Sequence, residues 1–171
     1  QIAFIDGYRI KIMTNRGKRP RELVVTSKAK ALCFHPDGRR LLYTDHKTIK
    51  AVDVITGHIT TLANGNEFFE LDISQNGSIL VATEKKPLGG YRVVAIDLVQ
   101  KKRHTISRGC SASISPDGHY ITVNASNHRE LLLFDRIEKK HVASIKMIDG
   151  KKFDNQYWAN HRDWIASKSE G

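Results

Sequence analysis

A polar turn motif recurs along this chain at a nearly constant spacing. The segments ALCFHPDGRRLLYT, ELDISQNGSILVAT and SASISPDGHYITVN each pass from one apolar run through a turn into another, and their turn glycines, Gly38, Gly77 and Gly118, lie 39 and 41 residues apart. A degenerate fourth copy is FDNQYWANHRDWIASKSE. Self-similarity at a fixed period indicates small modules that bury their faces against one another, so the chain is expected to be a repeat protein.

A second marker recurs in phase with the first. The segments IKAVDVITG, VVAIDLVQK and LLLFDRIEK each place an aspartate after an apolar run, at Asp53, Asp97 and Asp135. Short alternating runs follow (HITTLA, KRHTIS and HVASIK), so each period reads as four short strands. Apolar positions alternate with period two and β-branched residues are abundant, which favours strand over helix. A period of about 40–45 residues with four strands is typical of a β-propeller blade.

The S-P-D-G-type hairpin, the apolar run after it and the apolar-D-x-x-x-G/K turn resemble those of TolB-like β-propellers, which are bacterial relatives of the WD-repeat family. The resemblance extends over essentially the whole chain and implies an all-β fold of about four blades, each a four-stranded antiparallel sheet, within a larger propeller. The chain departs from the pattern in lacking the WD dipeptide and the GH marker and in having SQNG and ANHRD turns. The predicted blades of this single domain are approximately 1–27, 28–64, 65–108, 109–149 and an incomplete 150–171.

Ring closure is left open by this blade count. Four blades can close a ring, but propellers of this kind mostly have about six to eight. We therefore expect either part of a longer propeller or a ring completed by a partner copy, with open blade edges that allow self-association. The resemblance alone favours a periplasmic or secreted location.

The recurrent carboxylates predict structure rather than chemistry. Asp37 and Asp117 suit the special dihedrals of the hairpin turns, and an aspartate that recurs once per blade caps the turn that follows it. No GxSxG, GxxxxGK[ST] or GxGxxG motif is present, so no catalytic residue, cofactor or metal site is predicted. Cys33 and Cys110 fall in different repeats and are expected to be free thiols. Trp158 and Trp164 indicate either packing between blades or a stacking surface.

The net charge of +10, from 28 Lys and Arg against 18 Asp and Glu, favours acidic partners. In a propeller, the loops between second and third strands share one face with the linkers between blades, and pockets usually open there, at the mouth of the channel. Lys28, Lys30, Lys151 and Lys152 fall on this face, while Arg16, Lys18, Arg19 and Lys102 fall on the opposite one. The predicted ligand-binding residues on the first face are Lys47, Lys85, Lys86, Arg108, His128 and Arg129.

Two function classes fit this pattern. The first is a non-catalytic scaffold for protein–protein or anionic-ligand binding, which follows from repeats without a catalytic motif. The second is the propeller portion of an enzyme acting on peptides or acidic glycans, since similar hairpins occur in peptidases and in oligogalacturonate lyase. An enzyme pocket should bring polar groups such as His46, His128 and Arg108 together. Aromatic residues are only 8% of the chain, which argues against nucleic acid, and no apolar run is long enough to cross a membrane.

Overall fold

The fold was analysed in a computed structural model, which describes residues 1–17, 19–148, 150–161 and 163–170, with only the backbone of Glu170. Lys18, which the sequence places on the hairpin face, lies outside these residues. Every element assigned in the described part is a β-strand, and strands alternate with turns of a few residues. The prediction of an all-β chain is therefore confirmed. No helix in the described part is long and apolar enough to cross a membrane.

The described residues form seventeen strands in five antiparallel sheets, and sequential strands are neighbours in each sheet. The first sheet has three strands and the last has two, whereas the three central sheets have four each. The first sheet contains β1 (Ile2–Asp6), β2 (Arg9–Met13) and β3 (Arg21–Val25). The second contains β4 (Leu32–Phe34), β5 (Arg40–Asp45), β6 (Thr48–Asp53) and β7 (Ile59–Asn64).

The third sheet contains β8 (Phe68–Ile73), β9 (Ile79–Lys85), β10 (Tyr91–Asp97) and β11 (Lys102–Arg108). The fourth contains β12 (Cys110–Ile114), β13 (Tyr120–Asn124), β14 (Glu130–Asp135) and β15 (Lys140–Lys146). The fifth contains β16 (Lys152–Trp158) and β17 (Ile165–Glu170). Each sheet is called a blade below and is numbered in chain order.

Apolar residues are buried between successive blades rather than within one sheet. One core cluster joins blades 1 and 2, with Ile10 against Leu41 and Val52. A second joins blades 2 and 3, and a third joins blades 3 and 4, where Val93 meets Ile121. The first strands of adjacent blades lie side by side, β4 beside β8, β8 beside β12 and β12 beside β16. The modules therefore stack radially, with β4, β8, β12 and β16 lining a central channel.

The recurrent aspartates cap turns, as predicted. Asp53 Oδ1 accepts hydrogen bonds from the N–H groups of Ile55 and Thr56, at 2.9 and 2.8 Å. Asp97 makes the equivalent bonds in blade 3, and Asp135 accepts one from Glu138 N–H. In the hairpin turns, Asp37 and Asp117 likewise accept backbone N–H groups of residues just beyond them. These side chains are committed to the backbone of their own blade.

Backbone hydrogen bonds join the second-to-third strand loops to the linkers between blades. His46 N–H donates to Lys28 O, and Gly65 N–H donates to Lys47 O. In blade 4, Met147 N–H donates to Arg129 O, and Phe153 N–H donates to His128 O. Loops and linkers thus share one side of the molecule, which we call the linker face. The opposite side, with the turns around residues 36–39, 75–78 and 116–119, is called the hairpin face.

Candidate functional site

The structure places all six predicted binding residues on the linker face. Lys47 is in the β5–β6 turn, Lys85 ends β9, and Lys86 begins the β9–β10 loop. Arg108 ends β11, and His128 and Arg129 lie in the β13–β14 turn. They come from blades 2, 3 and 4. Lys47, Lys85, Arg108 and Arg129 are exposed, whereas Lys86 and His128 are half-buried.

Two groups of cations on this face differ in their ion-pair partners. Lys28 and Lys30 are neutralised because their Nζ atoms lie 2.8 and 2.9 Å from Glu67 Oε1. The hydrogen bonds from these two lysines lower the pKa of Glu67 to about 2. No described residue forms a hydrogen bond or ion pair with the side chains of the second group: Lys47, Lys85, Lys86, Arg108 and Arg129. This second group is called the free cations below.

A buried carboxylate fixes the loops that carry the free cations. Glu84 has no exposed surface and accepts Asn66 N–H at 2.6 Å, Arg92 Nε at 2.7 Å and the guanidinium of Arg103. Burial alone would raise the pKa of Glu84, but the bonds from Arg103 and Asn66 hold it below its usual value. Glu84 thereby ties β9, β10 and β11 to the linker before β8, directly beneath Lys85.

His128 differs from the other five predicted residues because it has a side-chain partner. Its Nε2 lies 3.2 Å from Cys110 Sγ at the start of β12. Burial, and then the charge of Glu70, raise the pKa of the Cys110 thiol to about 11. A nucleophilic cysteine requires the opposite shift, since the thiolate is the reactive form. The pair is therefore a hydrogen bond between a thiol and an imidazole that holds the β13–β14 turn.

The convergence expected of an enzyme pocket is not observed in the described part of the chain. No hydrogen bond or ion pair there joins His46, His128 and Arg108 to one another. No cluster of three or more His, Cys, Asp or Glu side chains among the described residues could hold a metal ion. The predicted binding residues on this face are instead mostly exposed cations.

The central channel forms two cavities that share Cys33 and Asp72 in their walls. The cavity toward the linker face has a volume of about 550 Å³ and is lined by residues including Glu70, Ser111, Gln156 and Tyr157. The one toward the hairpin face measures about 510 Å³ and includes Trp158. Trp164, by contrast, is 69% exposed, which disagrees with packing between blades and leaves the stacking surface as the prediction for this residue. Both cysteines are free.

Sequence reasoning missed the carboxylates of the channel. Glu70 and Asp72 occupy positions where blade 2 has Ala31 and Cys33 and blade 4 has Ser111 and Ser113. Aligning the repeats and asking where one copy replaces small residues with charged ones would have identified this pair.

Known structures with this arrangement of blades are β-propellers. TolB from Acinetobacter baumannii matches over 93% of this chain and 42% of its own, with a TM-score of 0.75 and 16% identity. A putative TolB from Agrobacterium tumefaciens matches over 94% and 61%, with a TM-score of 0.74 and 16% identity. The chain has the TolB-like, WD-repeat-like β-propeller fold. The β-propeller domain of Cps50 (Swd1) from Myceliophteria thermophila also matches this propeller, over 93% and 59%, with a TM-score of 0.67 and 16% identity.

This propeller spans about half the length of the structures it matches, from 42% to 61%. No known family profile and no curated protein matches its sequence. At 16% identity the likeness establishes the fold and the scaffold it provides, not a ligand or a reaction.

Proposed function

We propose that this propeller is a non-catalytic binding scaffold whose linker face holds an acidic segment of a partner protein or another anionic ligand. One observation carries the proposal: five cationic side chains on one face form no ion pair with any described residue. Some other cations are neutralised within the protein, as Arg39 is by Asp53 and Lys50 is by Asp45. Arg16, Arg19 and Lys102 on the hairpin face also form no ion pair with a described residue, so they provide the comparison. Unneutralised charge on one rigid face attracts and orients a partner of opposite sign.

A pair of triple variants tests this proposal with the net charge held equal. Lys47→Gln, Arg108→Gln and Arg129→Gln remove three free cations from three blades of the linker face. Arg16→Gln, Arg19→Gln and Lys102→Gln remove one lysine and two arginines from the hairpin face, where these side chains are also exposed. The probe is a fluorescein-labelled twenty-residue poly-glutamate peptide, and binding is followed by fluorescence anisotropy in 50 mM salt.

The linker-face variant is expected to lose about tenfold or more in affinity, because three exposed ion pairs contribute up to about 1 kcal/mol each. The hairpin-face variant should lose less than about threefold. Equal losses in the two variants would show that only net charge matters and would reject a specific face. Tighter binding of duplex DNA than of the peptide, with a steep dependence on salt, would reassign the face to nucleic acid.

We also propose self-association through the open blade edges. In the four-stranded neighbours, outer-strand residues such as Leu62 and Ile106 pack into the cores between blades. Blade 5 has only two described strands, and on β15 Val142 and Ile145 are 40% and 49% exposed. A second copy would cover this surface and the free edge of β1. Sedimentation velocity should show a concentration-dependent dimer that Ile145→Lys abolishes, and a monomer at every concentration would refute the proposal.

A further inference from the structure

The first strands of the blades place equivalent positions at equal depth in the channel. One ring contains Ala31, Glu70, Ser111 and Gln156, and the next contains Cys33, Asp72, Ser113 and Trp158. Neighbours in the rings are joined across the blades. Ser111 N–H donates to Glu70 Oε2 at 2.6 Å, and Ser113 Oγ and Ile114 N–H donate to Asp72 Oδ2 at 2.7 and 3.0 Å. The two acidic members of the rings both belong to blade 3.

These two carboxylates have no counter-ion among the residues that the structure describes. No described Lys, Arg or His forms an ion pair with Glu70 or Asp72, although the chain carries a net charge of +10. The nearest basic wall residue is Lys30, whose Nζ lies 2.9 Å from Glu67 Oε1 and 3.4 Å from the centre of the Phe69 ring. Lys30 is therefore already engaged. A part-buried carboxylate without a cation is costly unless a ligand supplies the missing charge.

A second, independent observation concerns Gln156 in the same wall. Its side chain is 1% exposed, and its Nε2 donates to Ser111 O. Its Oε1 is buried and has no hydrogen-bond partner among the described residues. Buried polar atoms are normally satisfied, so an orphaned acceptor beside two unpaired carboxylates indicates a missing donor. Tyr157 also lines this cavity.

The charges of the carboxylates in and near this cavity act on other titratable residues of its wall. Burial raises the pKa of Tyr157, and the charges of Glu70, Asp72 and Asp154 raise it further. Burial also raises the pKa of Cys33, with a smaller contribution from Asp72. The Tyr157 phenol and the Cys33 thiol, which lie on different strands, are thus both close to negative charge. The channel and the linker face around it have opposite charge.

We propose that the 550 Å³ channel cavity binds a protonated primary amine, with Glu70 and Asp72 as its counter-ions and Gln156 Oε1 as a further acceptor. An ammonium group brings three N–H donors and one positive charge, which match these acceptors. The volume suits an alkyl chain with its charged head rather than a bare ion. The described residues offer no cluster of three or more His, Cys, Asp or Glu for a metal. This ligand lies outside the proposed anionic-partner function and has the opposite charge.

The emission of Trp158 can report on binding because this residue lines the adjoining cavity with Asp72. In a Trp164→Phe background, the full chain is titrated at pH 7 with n-butylammonium, N-acetyl-lysine N-methylamide, neutral n-butanol and calcium chloride. Saturable binding of either amine in the millimolar range or tighter is expected, with no saturation by n-butanol. Tighter binding of the lysine derivative identifies a side chain of a polypeptide as the source, and equal binding identifies a free amine.

Paired variants make the proposal falsifiable. Glu70→Gln with Asp72→Asn keeps an acceptor oxygen for Ser111 and Ile114 but removes both charges, and should weaken amine binding at least tenfold. Glu22→Gln with Glu138→Gln removes the same charge elsewhere and should leave affinity within twofold. Matching circular dichroism and urea midpoints verify that each variant is folded. No saturation by amines, equal affinity in both variants, or displacement of the amines by calcium at equal concentration would overturn the proposal.

Discussion

Replacement of Glu84 by alanine tests how the linker face is held in place. The carboxylate is fully buried, and its three donors come from β10, β11 and the linker before β8. Glu84→Ala would leave Asn66 N–H without its acceptor and two guanidinium groups without their counter-ion. The side chains of Arg92 and Arg103 are 33% and 28% exposed, so water can partly replace the lost bonds.

The expected loss of stability follows from these contacts. Three charge-assisted hydrogen bonds at about 1.5–3 kcal/mol each set an upper bound near 9 kcal/mol. Partial hydration of the arginines reduces this, and removing one partner of a buried ion pair typically costs about 3–5 kcal/mol. We expect about 3–5 kcal/mol for Glu84→Ala, a large share of the roughly 5–15 kcal/mol that stabilises a domain. Glu84→Gln keeps one acceptor and should lose less.

Urea unfolding followed by circular dichroism measures this loss. With a denaturant slope of about 1–3 kcal/mol/M, the midpoint should fall by roughly 1–5 M. The matched control is Glu22→Ala, which removes an exposed pair in which Arg9 Nε lies 2.9 Å from the carboxylate. That change should cost at most about 1 kcal/mol. Equal midpoints for the two variants would refute the assignment of Glu84 as the tie between blade 3 and its linker.

Three further substitutions give distinct outcomes. Gly109 has a φ of 131°, and a Cβ there would lie 2.2 Å from Asn124 O. Gly109→Ala should therefore lower the free energy of unfolding in urea by at least about 2 kcal/mol, whereas Gly57→Ala, with open space around the added Cβ, should lower it by about 1 kcal/mol. Burial opposes ionisation of Asp45, but hydrogen bonds from Lys50 and Ser27 hold its pKa at about 2, below the 3.8 of an unperturbed aspartate. Ionised Asp45 therefore stabilises the fold above pH 4, and the difference in thermal midpoint between the native chain and Asp45→Asn should shrink as the pH falls from 4 to 2. Burial raises the pKa of Asp72, so ionisation of this carboxyl destabilises the fold as the pH rises through its folded-state pKa. In thermal unfolding, Asp72→Ser should therefore be at least as stable as the native chain at pH 7 and should lose this advantage below pH 4.

The fold was predictable because the residues that form and cap its turns act over short distances in the sequence. Gly38, Gly77 and Gly118 take positive φ in hairpin turns, and a few adjacent residues are enough to predict such a turn. The aspartates that cap later turns do the same, since their partners lie two or three residues away. The spacing at which these turns repeat predicts the order of the strands without knowledge of contacts between distant residues.

The candidate site was predictable only in part because charge pairing is not local. Repeat phase correctly places Lys28, Lys30 and Lys47 on one face. It cannot show that Glu67, which lies 37 or more residues beyond the first two, neutralises them. It also cannot show that His128 contacts Cys110 rather than solvent. Which cations are free depends on three-dimensional neighbours that no spacing rule supplies.

The contrast between Asp72 and Ser113 separates what the fold needs from what it does not. Both occupy the same position in successive blades, and both accept a backbone N–H from the next first strand: Ile114 for Asp72 and Trp158 for Ser113. A serine hydroxyl therefore suffices for the bond between blades. The carboxylate adds a charge that burial disfavours, and no described cation compensates it. A residue that costs stability where a neutral one would hold the structure is characteristic of a binding site, because stability and function compete there. Blade 3 is thus the one to examine first for a ligand.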